Sequence, residues 1–106
     1  MIDDIIMKVR NDIERSYSNN LHSMGNDIFK PFIRGTFAML YNISYVPDKV
    51  LKAFRKDLNI VTHEYYRYCK DHHMEDENLL KVYDIYDYRG YSYILMERLN
   101  RLDKDV

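Results

Sequence analysis

PDKVLKAFRKDLNIVTHEYYRYCKDH, residues 47–72, is the stretch whose conformation decides the fold. Within it, Leu51, Phe54, Leu58, Val61, Tyr65, Tyr68 and His72 follow one another at steps of 3, 4, 3, 4, 3 and 4. Six of these seven are apolar or aromatic. That recurrence is the spacing of positions along one side of an α-helix. Pro47 suits the first helical position, and Asp48 behind it suits the positive end of the helix dipole. The spacing predicts one long central helix from Pro47 to about His72, with the other segments packed against it.

Upstream, Ile2, Ile5, Ile6, Val9 and Ile13 line one side of a predicted helix from Ile2 to about Tyr17. Asp3 and Asp4 lie in its first turn and Arg15 near its last, as the dipole favours. Ser16 to Asn26 reads as a loop anchored by Leu21 and Met24. Asn26 or Asp27 can cap a second helix whose apolar side is Ile28, Phe29, Phe32, Ile33, Phe37, Leu40 and Tyr41. Pro31 fits there only in the first turn, and Gly35 suggests a close crossing with another helix. Downstream, Glu75-Asp76-Glu77 suits the start of a fourth helix carrying Leu79, Leu80, Val82, Tyr83 and Tyr86. Tyr91, Ile94, Leu95, Leu99 and Leu102 read as a fifth. The alternative for residues 82–96 is a β-hairpin of aromatic strands turning at Arg89-Gly90. The expected fold is an all-α bundle of four to five helices forming a single domain over residues 1–106.

Composition narrows the function. With 16 Lys and Arg against 17 Asp and Glu, the formal net charge is −1, so no overall field draws the chain to nucleic acid or anionic membrane. The one cysteine, Cys69, excludes an intramolecular disulfide and suits a reducing compartment. The N-terminus lacks the basic start of a secretory signal, and no apolar run approaches membrane-spanning length. A cytoplasmic protein without membrane contact is expected. Eleven Tyr against three Gly and two Pro point to AT-rich codon usage, as in a low-GC bacterium or its phages and mobile elements.

On the expected central helix, Lys49, Lys52, Lys56, His63, Arg67 and Lys70 form a basic stripe that could dock phosphates. Asp57, Glu64 and Asp71 repeat every seven residues along one flank and offset part of it. Tyrosine is the most unusual feature. Tyr combines large contact area with a hydrogen-bonding tip and few rotatable bonds, so it concentrates in protein interfaces. Tyr66, Tyr88, Tyr91 and Tyr93, with Arg89, are the candidate partner-binding residues.

His63, Cys69, His72 and His73 are the conceivable metal ligands. In a continuous helix only Cys69 and His73 face the same way, and a closed zinc site needs four converging ligands. No metal or cofactor is expected. Arg67-Tyr-Cys-Lys-Asp-His72 spells Arg-x4-His, and His73 extends it to Arg-x5-His. The pattern resembles that of the HEPN-type helical ribonucleases. The resemblance implies an all-helical RNase with Arg67 and His72 acting on the scissile phosphate. Tyr68 stands where that family has a polar residue, and Arg15 with His22 makes a second match of similar spacing. No phosphate-binding glycine loop or nucleophile elbow is present. The expectation is therefore a small non-catalytic protein-binding module of the kind phages and mobile elements carry, which inhibits or redirects a host protein. Self-association is compatible with it. Nucleic-acid binding through Lys49, Lys52, Lys56, Arg67 and Lys70 is the alternative, and an RNase the further one.

Overall fold

A computed structural model describes residues 1–17 and 24–98 of the chain. Its elements are helix α1 (Ile2–Ser16), strands β1 (Phe29–Arg34), β2 (Ala38–Ile43) and β3 (Lys49–Arg55), a 3-10 turn at Lys56–Leu58, helix α2 (Ile60–His72), and strands β4 (Val82–Tyr88) and β5 (Tyr91–Glu97). All neighbouring strands are antiparallel, in the order β1-β2-β3-β5-β4. The fold is α+β and not the expected helical bundle.

Residues 47–72 are not one helix but a strand, a turn and a shorter helix. Its first third is β3, the middle strand of the sheet. Because side chains alternate across a strand, Leu51 and Ala53 enter the core beneath α1, while Val50 and Phe54 enter the core beneath α2. A strand covered on both faces shows no polar alternation. Val50, Leu51, Ala53 and Phe54 therefore imitate helical spacing. The backbone turns at Lys56–Leu58, and Asn59 precedes a new helix.

α1 lies within one residue of its sequence limits. It sets Val9 and Ile13 against Met39, Tyr41, Leu51, Tyr93 and Leu95. The expected second helix is instead the β1–β2 hairpin. Met39, Tyr41 and Ile43 are buried alternately, but Ala38 before them and Leu40 between them are also apolar, so the period of two is muted in the sequence. Gly35 belongs to this turn and to no helix crossing: its N–H donates to the Ala38 carbonyl at 2.9 Å. A Cβ there would stand only 2.9 Å from that same oxygen. Pro31 sits on an edge strand beside a register shift, where its missing donor is tolerated.

The expected fourth and fifth helices are the β4–β5 hairpin, so the hairpin alternative describes residues 82–97. Leu99, Leu102 and the loop residues Leu21 and His22 lie outside the described residues. Arg89 (φ 52°) and Gly90 (φ 86°) both have positive φ, as the type I′ turn joining two twisted strands requires. Valine cannot adopt φ 86° without strain of about 1–3 kcal/mol. Gly90→Val is therefore expected to lower the urea midpoint at unchanged m-value; an unchanged midpoint would show that the turn is not held this way.

Candidate functional site

Most tyrosines belong to the core. Tyr41, Tyr91 and Tyr93 are buried beneath α1, with Tyr17, Tyr45, Tyr83, Tyr86 and Tyr88 packed half-buried around them. Two of their hydroxyls reach carboxylates of α1. Tyr45 donates to Asp12 at 2.6 Å and Tyr86 to Glu14 at 2.6 Å. The Glu14 hydrogen bond, followed by burial, pushes the Tyr86 phenol up to about 12. Burial raises Tyr93 further, joined by the surrounding phenols. Tyr66 is also buried, against Phe54. Of the partner-binding candidates, then, Tyr66, Tyr91 and Tyr93 present little surface, while Tyr88 and Arg89 stand at the hairpin end.

Five of the ten exposed large apolar residues among those described gather elsewhere. Leu58 (60% exposed), Ile60 (59%), Val61 (84%), Tyr65 (52%) and Tyr68 (53%) occupy the 3-10 turn and the outer side of α2. Val61, Tyr65 and Tyr68 are the second half of the stripe that the sequence places against the core. The residues α2 buries are His63, Tyr66 and Cys69. Tyr68 stacks on His72 with ring centroids 4.1 Å apart. Glu64 and Asp71, both exposed, border this surface at a seven-residue interval.

His63 is buried because it faces a polar pocket of its own. Its Nε2–H donates to Asp87 Oδ1 at 3.2 Å, an atom that also accepts from Ser92 Oγ at 2.8 Å. Lys56 Nζ donates to Asp87 Oδ2 at 3.0 Å. Burial pushes the Asp87 carboxyl up, but the Lys56 and Ser92 hydrogen bonds and the His63 and Lys56 charges outweigh it. The net position is below the ordinary carboxylate value. His63 Nδ1 is buried with no hydrogen-bond partner. In the sequence a histidine between Thr62 and Glu64 reads as solvent-facing, and no spacing signal points to Asp87, 24 residues on.

Beside this network an open cleft of about 580 Å3 is lined by Arg55, Lys56, Asp57, Ile60, Arg89, Gly90 and Tyr91. It lies where the end of β3, the start of α2 and the β4–β5 turn meet. The Lys56 N–H, donating to the Gly90 carbonyl at 3.0 Å, fastens its two walls together.

The basic stripe does not survive the change of fold. Lys49 is buried beside Asp48 and over the Tyr83 ring. Lys52 points to the opposite sheet face and donates to the Tyr66 hydroxyl at 2.8 Å. Lys56 pairs with Asp87, and only Arg67 and Lys70 remain exposed on α2. Arg67 and His72 lie five residues apart on one helix, about 140° apart around its axis, and His72 Nδ1 donates to the Tyr68 carbonyl. The all-helical fold implied by the RNase resemblance is absent. His63, Cys69, His72 and His73 do not converge; among the described residues no group of three or more His, Cys, Asp and Glu is placed to hold a metal ion.

No known protein family and no curated protein matches the chain. Among the described residues no helix is long and apolar enough to cross a membrane.

Proposed function

We propose that the chain is a non-catalytic protein-binding module whose docking surface is the outer side of α2. The observation that carries this is the exposure of Leu58, Ile60, Val61, Tyr65 and Tyr68 on one contiguous stretch. Such a patch of large apolar side chains is what interaction sites present. Tyr at its centre gives contact area at small entropic cost. The occupant is argued from charge. At 100° per residue Glu64 and Asp71 fall among the apolar residues, whereas the exposed Arg67 and Lys70 lie farther round the helix, so the complementary partner is an amphipathic helix whose apolar stripe is flanked by Lys or Arg.

A photo-crosslinking residue placed at Tyr65 or Tyr68, in cells of the source organism, tests this. A discrete crosslinked protein is expected from both positions and not from a control at Lys30, which is exposed on β1. The crosslinked helix, made as a peptide, is expected to bind the purified chain and to lose at least tenfold in affinity when Glu64 and Asp71 are both changed to Lys. A crosslink only to the chain itself, an equal yield from the control, or affinity indifferent to the charge reversal would overturn the proposal.

A further inference from the structure

We infer that the cleft between β3, α2 and the β4–β5 turn binds a phosphate ester with an apolar body, a site that adjoins the α2 surface at Ile60 and uses different chemistry. Arg89 is the central observation. It occupies the first central position of a turn that demands positive φ, where Asn, Asp and Gly are the favoured residues. An arginine there carries backbone strain, and strain held at a surface turn points to a role for the side chain. That side chain is also held in place. The guanidinium carbon lies 5.3 Å from the centre of the Tyr17 ring and 5.5 Å from that of Tyr88. Among the described residues, no carboxylate pairs with it.

The rest of the cleft fits the same ligand. Arg55 is bound to Asp57 through Nε and Nη2, and Lys56 to Asp87 through one of its three donors, so each keeps N–H groups for further acceptors. Asp87 already accepts from Lys56, Ser92 and His63, so its charge is shared with groups behind the cleft. A phosphate is matched by this set: an arginine fork, a lysine and a second arginine offer several charge-assisted donors to its oxygens. A volume of about 580 Å3 is far more than phosphate needs and falls in the range of small-ligand pockets. Ile60, 59% exposed, supplies an apolar wall for the remainder of the molecule.

The test is a ¹H–¹⁵N titration of the full chain with phenyl phosphate, adenosine monophosphate, inorganic phosphate and benzoate. Saturable shifts of the Ile60, Gly90 and Tyr91 amides are expected with both esters, at Kd below about 1 mM, and weaker ones with inorganic phosphate. Tighter phenyl phosphate would assign an aryl phosphate, and tighter adenosine monophosphate a nucleotide; either supports the site. Arg89→Asn relieves the turn and removes the guanidinium. It is expected to match or exceed the parent in thermal stability while losing at least tenfold in ester affinity. No saturable shift, benzoate binding as tightly as the esters, or undiminished affinity in the stable Arg89→Asn variant would overturn the inference.

Discussion

Arg10→Ala is expected to destabilise the protein by about 2–3 kcal/mol, more than Asp84→Ala does. The Arg10 guanidinium, on α1, donates to both oxygens of Asp84, on β4, at 2.8 and 2.6 Å. The Asp84 side chain is 9% exposed and that of Arg10 is 37%. This asymmetry sets the direction. Removing the arginine strands a desolvated carboxylate, whereas removing the carboxylate leaves a guanidinium that can turn toward water. Breaking a buried pair from one side costs about 3–5 kcal/mol, and the partial exposure of Arg10 argues for less. Arg10 also covers the Tyr86 ring at 4.9 Å, so packing is lost with the charge. In a domain of this size the loss corresponds to roughly 10–20 °C in Tm. The double variant Arg10→Met, Asp84→Leu is expected to recover much of it, because an apolar pair of similar volume pays no desolvation penalty. Urea titrations of the four proteins decide the matter. A loss below about 0.5 kcal/mol for Arg10→Ala, or a larger one for Asp84→Ala, would mean that the bridge does not join helix to sheet as described.

That bridge spans 74 residues of sequence, which shows why the fold was only partly legible. Where one face of an element is covered and the other is wet, the pattern reads correctly. α1 is such an element, with Val9 and Ile13 inward and Lys8 and Arg15 outward. The Arg89-Gly90 turn was legible from its glycine. β3 was not, because burial on both faces removes the alternation that marks a strand. Tyrosine misled for a related reason: its ring fills a core while its hydroxyl finds a polar partner at the edge, as Tyr45 does on Asp12. Composition alone cannot separate that use from an interface. On α2 the helical period is real, but the apolar spacing points to Val61, Tyr65 and Tyr68 as the buried side, whereas His63, Tyr66 and Cys69 are buried. His63 turns inward because Asp87 and Ser92 await it, a partnership between separate elements that no local spacing announces. In the sequence Arg89 stands out for its tyrosine neighbours, whereas the structure adds the positive φ and the flanking rings.

The two halves of residues 47–72 therefore answer differently to truncation. Phe54 and Val61 are both members of the 3-4 stripe, and one continuous helix would bury them alike. In the strand-then-helix arrangement Phe54 is 1% exposed and packs with Val50, Cys69, Ile94 and Met96, while Val61 is 84% exposed. Phe54→Ala removes a whole ring from a core covered by α2 and leaves a cavity that the flanking sheet cannot fill, at a cost of about 3–5 kcal/mol. Against a total stability of about 5–15 kcal/mol for a small domain, that is enough to leave a measurable unfolded fraction at 37 °C. Val61→Ala is expected to change stability by no more than about 0.5 kcal/mol. Under the proposed function, its effect is instead to weaken capture of a partner at the outer side of α2. Comparable losses at the two positions would restore the single helix and remove the exposed surface on which the proposed function depends.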